Sequence, residues 1–192
     1  MIHDSDTDEA LRRLVAQALR RPEGRRLEFK HAALSFDKDK AAMYSAALAN
    51  EGGGLLILGV DDRTRAVVGT NAFRDPVELE RYLFEHLKTV AVRVAAVDYQ
   101  GHRLVVLQIP PRPIGQTVVY KGRRLFRAGE SLTDMPDSAI ASVLAERRDQ
   151  VLLAGSGVRP ARESLDEVLD LDLLFAAMGR SCPVTGLVAA LE

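Results

Sequence analysis

Glu23, Glu28, Lys30, Asp61 and Asp62 are the residues near the front of the chain whose types and spacing suit chemistry. Three carboxylates together hold magnesium or manganese, which prefer oxygen ligands, and such an ion activates water for attack on a phosphodiester. In that reading Glu23, Glu28 and Asp62 are the metal ligands and catalytic acids, and Lys30 counters the charge developing on the phosphate. A plainer reading uses the same residues. Aspartate is an ordinary turn residue after a strand, and Glu23 and Glu28 among Arg25, Arg26 and Lys30 also make an ion-paired edge. Spacing alone favours the plainer reading.

The elements that must position these groups follow from pattern. Leu27 to Lys30 alternates apolar and polar, so a strand there sends Leu27 and Phe29 to one face and Glu28 and Lys30 to the other. An alanine-rich helix over 37–50 follows, ended by Gly52, Gly53 and Gly54. "LLILGV" is apolar on both faces, as a strand inside a sheet should be, and delivers Asp61 and Asp62 at its end. If the two strands are neighbours, the acids converge on one edge. The glycines follow a helix and precede a strand, the reverse of a phosphate-binding loop, and no Lys-Ser or Lys-Thr pair is attached, so ATP binding has no motif to support it.

Elsewhere, Asp6 with Glu9 reads as a capping box opening an N-terminal helix that ends near Pro22. Asp75 and Pro76 open another helix. "VRVAAVDY" and "RLVVLQIP" flank a short hairpin turn, "TVVY" and "RLFRA" flank a second, and "AVVG" is a short strand. The proline-rich "PPRPIGQ" is a loop, and a fourth helix runs over 137–148. The expected layout is an N-terminal helix over 1–22, a main α+β domain with a mixed sheet over 23–150, a linker over 151–163 and a short helical segment over 164–192. The closing Leu-Glu resembles a cloning remnant, which makes a longer natural chain an expectation.

Charge and composition narrow the function. Net charge is -1, with 26 basic and 27 acidic residues, but the acids gather at both ends and leave the middle basic. Arg25, Arg26, Lys30, Lys121, Arg123, Arg124 and Arg127 are the candidate phosphate contacts. A lone Cys182 excludes an intrachain disulfide and a multi-cysteine zinc site. His3, His31, His86 and His102 lack zinc spacing, and no nucleophile elbow occurs. The acidic N-terminus and the absence of a long apolar run suggest a cytoplasmic chain with no membrane span.

"EGRRLEFK", "ALANEGGGLLILGVDD", "VVG" and "LFRAGES", in that order, resemble the Schlafen-type AlbA-like domain over about 23–148. The resemblance implies an α+β domain that binds DNA or RNA in bacterial transcriptional regulators. It also implies a second activity, since some Schlafen relatives are metal-dependent ribonucleases with two glutamates five residues apart and a later aspartate; Glu23, Glu28 and Asp62 match that pattern. Those nucleases join two copies of the domain around a basic groove, which for a single copy implies a homodimer. Two positions depart from the family: Leu125 stands where a tyrosine is usual, and Glu130 adds negative charge near Arg127.

Overall fold

The computed structural model describes residues 4–22, 24–128 and 131–156. The stretch 27–30 forms β1 (Leu27–Lys30), which pairs in parallel with β2 (Gly54–Leu58) and sets Glu28 opposite Leu56 and Lys30 opposite Leu58. The crossover between them is α2 (Lys38–Asn50), as a parallel pair requires. Asp37 caps α2 by accepting the Lys40 amide. β4 (His102–Ile109) runs antiparallel to β2, and β3 (Arg93–Tyr99) closes the sheet in the order β1-β2-β4-β3.

Both faces of this sheet are covered, which is why β2 is apolar throughout. α1 (Asp4–Leu19) lays Leu11, Leu14, Val15 and Ala18 against Leu27, Phe29, Leu55, Ile57, Leu104 and Val106. On the other face, α2 and α3 (Pro76–Leu87) pack Ala42, Ala46, Leu79, Leu83 and Leu87 against Leu56, Leu58, Val105 and Leu107. Each fully buried Leu or Val contributes about 1.5–3 kcal/mol relative to exposure. β3 is an edge strand, and side chains cap part of its free edge: Glu80 accepts the Val94 amide and Arg12 donates to the Asp98 carbonyl.

The three-glycine turn allows close approach of backbones. A Cβ on Gly54 would lie 2.2 Å from the Arg26 carbonyl oxygen, and one on Gly53 would lie 2.8 Å from the Ile109 oxygen. The Gly52 and Gly53 amides bond to the Ala49 and Leu48 carbonyls, and the Leu55 amide to Arg26, so these donors close the turn.

The structure differs from sequence expectation in four places. "AVVG" forms no strand, only a single bridge between Val60 and Val67. "TVVY" does not pair along "RLFRA"; their turn is kept by one bridge, Tyr120 with Arg123, while β5 (Leu125–Ala128) pairs with β6 (Ser131–Asp134), which sequence did not reveal. Asp6 lies inside α1 instead of capping it. α4 (Asp137–Ser156) continues past the expected end at Arg148; the rest of the expected linker, the terminal helix and Cys182 lie outside the described residues. Among the described residues, no helix is long and apolar enough to cross a membrane.

The β5–β6 pair is docked partly by Asn50 at the end of α2. Its Nδ2 donates to the Val118 and Leu125 carbonyls, at 3.0 and 2.8 Å, and its Oδ1 accepts the Val118 amide at 2.8 Å. A buried amide with its bonds made is costly to remove, because three backbone partners would be stranded. Asn50→Ala is expected to lower the unfolding free energy by about 3 kcal/mol, measured by urea denaturation, with an unchanged m-value. A loss below about 0.5 kcal/mol would show that water replaces the side chain.

Candidate functional site

Alternation along β1 brings Glu28 and Lys30 to one face, as expected, but Glu28 is not at a wet edge. It is 2% exposed. Its Oε1 lies 2.6 Å from Lys30 Nζ and its Oε2 lies 2.6 Å from Nη2 of Arg127, itself 6% exposed. Arg127 Nη1 donates to the Gly24 carbonyl at 2.6 Å and the Leu27 carbonyl at 3.3 Å. Arg127, counted from sequence as a phosphate contact, is therefore sunk beneath β1 and fastens β5 to it. Lys30 also approaches the Tyr44 ring, 5.3 Å from its centroid, and Asp62 Oδ2 at 3.8 Å. Burial pulls the Lys30 pKa down, and the Glu28 carboxylate, with Tyr44 and Asp62, more than offsets this, so the net shift is upward.

The paired aspartates divide their roles. Asp61 Oδ1 accepts the Thr64 amide at 2.7 Å and the Thr64 hydroxyl at 2.6 Å, which holds its carboxyl below the usual range and fixes the turn after β2. Asp62 is half exposed and looks toward Lys30. Of the three expected metal ligands, Glu28 and Asp62 thus converge on one ammonium group, and Glu23 lies outside the described residues.

A divalent ion would have to displace a cationic side chain from the described part of this set. Magnesium oxygens sit at roughly 2.0–2.1 Å, whereas both Glu28 oxygens are taken by cationic side chains. Among the described residues no group of His, Cys, Asp and Glu is arranged to hold a metal.

The remaining basic candidates separate into paired and unpaired groups. Arg26 donates to the Gly52 carbonyl and braces the glycine turn. Lys121 is held by Asp39, and Arg123 is bidentate on Asp134 at 3.0 and 2.9 Å. Arg124 bonds only Thr117, and Arg25 holds no partner among the described residues; both are exposed. Arg74, Arg81, Arg93 and Arg147 are likewise exposed with no salt bridge among the described residues, as are Arg20 and Arg63, the latter close enough to Asp61 to help lower its carboxyl. Arg65 ties the segments of Arg20 and Arg63 together, donating to the Arg21 carbonyl at 3.0 Å and lying over the Phe29 ring at 4.6 Å. Arg63 and Arg65 escaped sequence reading because they sit in an ordinary turn.

A second polar cluster, also missed from sequence, joins α2, α3 and the turn at Lys121. Asp39 Oδ1 accepts from the Tyr82 hydroxyl at 2.6 Å and the Tyr120 hydroxyl at 2.7 Å, while Lys121 holds its other oxygen. Lys121 first, then the two phenols, holds the Asp39 carboxyl far below the usual carboxylate range. Burial first, then Asp39, raises the Tyr82 pKa well above that of a free phenol; burial is also the main cause of the rise at Tyr120. The alanine periodicity of α2 marked its core face but gave no sign of Asp39.

Two predictions follow from these clusters. Arg127→Met leaves Glu28 buried with half its compensation, and is expected to cost about 3–5 kcal/mol in chemical denaturation. Glu28→Leu with Arg127→Met should recover part of that loss; an additive double variant would mean that the pair has no coupling. The raised phenol pKa values mean that the folded state binds these protons more tightly than the unfolded state. Their stabilisation is complete below about pH 10 and is lost as pH rises through the folded values. Spectrophotometric titration should show two late phenolates, and Asp39→Asn should move both to lower pH; no movement would remove Asp39 as a cause.

The fold has counterparts among known proteins. The family model described as Schlafen, AlbA_2 matches residues 23–136. The crystal structure of the DIP2311 protein from Corynebacterium diphtheriae is similar at 22% identity and a TM-score of 0.54, covering 71% of this chain, while this chain spans only 33% of that one. The solution structure of the N-terminal domain of a RecG-related protein from Nitrosomonas europaea matches at 22% identity and a TM-score of 0.41, covering 67% of this chain and 91% of that one. No curated protein matches. With the family model covering more than half of its length and the β1–α2–β2 order in place, the chain belongs to the Schlafen AlbA_2 family.

Proposed function

We propose that this chain is a nucleic-acid-binding domain that grips the phosphate backbone of DNA or RNA, in the service of a transcriptional regulator. What supports this reading is that Arg20, Arg25 and Arg124, on segments braced around β1, are exposed and form no salt bridge among the described residues. Such cations release counterions from a phosphate backbone, and their contacts set register more than sequence. Lys30, partly exposed beside them, supplies a further positive group. A homodimer would double this surface and match two half-sites.

A second reading is a metal-dependent ribonuclease built on Glu23, Glu28 and Asp62. What favours it is the convergence of Glu28 and Asp62 on Lys30, with Asp61 committed to its turn. It requires the Lys30 ammonium to leave Glu28.

Binding of duplex and single-stranded DNA and RNA should weaken steeply with salt. Arg25→Ala and Arg124→Ala are each expected to reduce the slope of log K against log salt by about 0.9 on duplex, with little change in sequence preference. Failure of the wild-type chain to bind any of these at low salt would overturn the proposal. Cleavage that needs manganese and disappears in Glu28→Gln while binding persists would promote the second reading.

A further inference from the structure

His86 is exposed near the end of α3, and its ring stacks on Tyr82 with centroids 4.0 Å apart and planes 28° from parallel. Both rings are fixed before any ligand arrives. His86 Nδ1 donates to the Tyr82 carbonyl at 2.8 Å, which leaves Nε2 as the other ring nitrogen, and the Tyr82 hydroxyl is tied to Asp39 at 2.6 Å. Tyr120 backs the pair, its ring 6.3 Å from His86. Two lysines flank the stack. Lys38 Nζ lies 5.8 Å from the Tyr82 ring centroid and Lys121 Nζ 5.4 Å from that of Tyr120. Each lysine is already paired with an acid, Lys38 with Glu78 and Lys121 with Asp39, and Asp37 adds further negative charge near Lys121 and Tyr120.

An exposed aromatic ring already seated on a second ring is the arrangement on which unpaired bases stack; a base inside a duplex cannot present its face to it. Fixing both rings beforehand lowers the entropy lost on binding. We propose that the outer face of His86 takes an unpaired nucleobase, so that this domain prefers a single strand or a loop. The inference rests on the nucleic-acid reading above and adds which form of nucleic acid is held and where.

Phe84, on the same helix and 62% exposed, provides the control, because it takes no part in the cluster. The experiment uses the whole chain with a single-stranded oligonucleotide carrying 2-aminopurine, whose emission is quenched on stacking, and with the same sequence fully paired. Wild type is expected to quench the single strand. His86→Ala should abolish the quench and weaken single-strand binding about tenfold while leaving duplex binding within about twofold. His86→Phe should restore both, and Phe84→Ala should behave as wild type. An unchanged quench in His86→Ala, equal weakening on the duplex, or a loss that follows Phe84 instead would overturn the inference and leave the nucleic-acid reading standing. Absence of binding to either strand form at low salt would end both.

Discussion

The contact on which the arrangement depends is the buried pair of Glu28 and Arg127. Placing either charge alone under β1 would cost several kcal/mol, and the cost is offset because Glu28 meets two cations and Arg127 meets a carboxylate and two carbonyls, although the buried Arg127 Nε is left without a hydrogen-bond partner among the described residues. The pair joins the four-stranded sheet to the β5–β6 hairpin, two sheets that share no ladder. Asn50 makes a second attachment from the end of α2. Two separate fastenings fix the hairpin in orientation as well as in place, so Arg124 and the turn at Lys121 are held relative to Arg25.

The same economy sets which cations of a chain with net charge -1 are left unpaired. Many of its cations are spent internally: Lys38 on Glu78, Lys121 on Asp39, Arg123 on Asp134, and Arg112 bidentate on Glu146, which fastens α4 to the proline-rich loop. Among the described residues, arginines without a salt bridge include Arg20 at the end of α1 and Arg25 in the turn before β1, and also Arg81, Arg93 and Arg147 on α3, β3 and α4. Net charge averages over paired and unpaired groups, whereas the field near a surface is set by those left unpaired.

Local pattern carried much of this fold. The alternation in "LEFK", the two-faced apolar run of β2, the helix ending at Asn50 and the Asp75-Pro76 start each depend on neighbours a few residues away, and each appears where expected. Arg127 was legible as a charge and illegible as a buried one, because its partners, Glu28 and the Gly24 and Leu27 carbonyls, are about a hundred positions earlier. "TVVY" failed as a strand for a related reason: Asn50 takes the backbone of Val118, so that segment answers to a helix end instead of a ladder. The Asp39, Tyr82 and Tyr120 cluster draws on three elements and leaves no periodic trace.

The glycines of "NEGGGLLILGVDD" show how a motif is shared between packing and function. Gly53 and Gly54 are required because backbones from β4 and the β1 entry pass within a Cβ's reach, and Arg26 is drawn in to brace Gly52. That bracing turns one arginine of the "GRR" pair inward and leaves the other, Arg25, in solvent. Two adjacent residues of one type thus separate into a structural group and a solvent-facing one. The separation is decided by one carbonyl that becomes available only because the turn has no side chains to shield it.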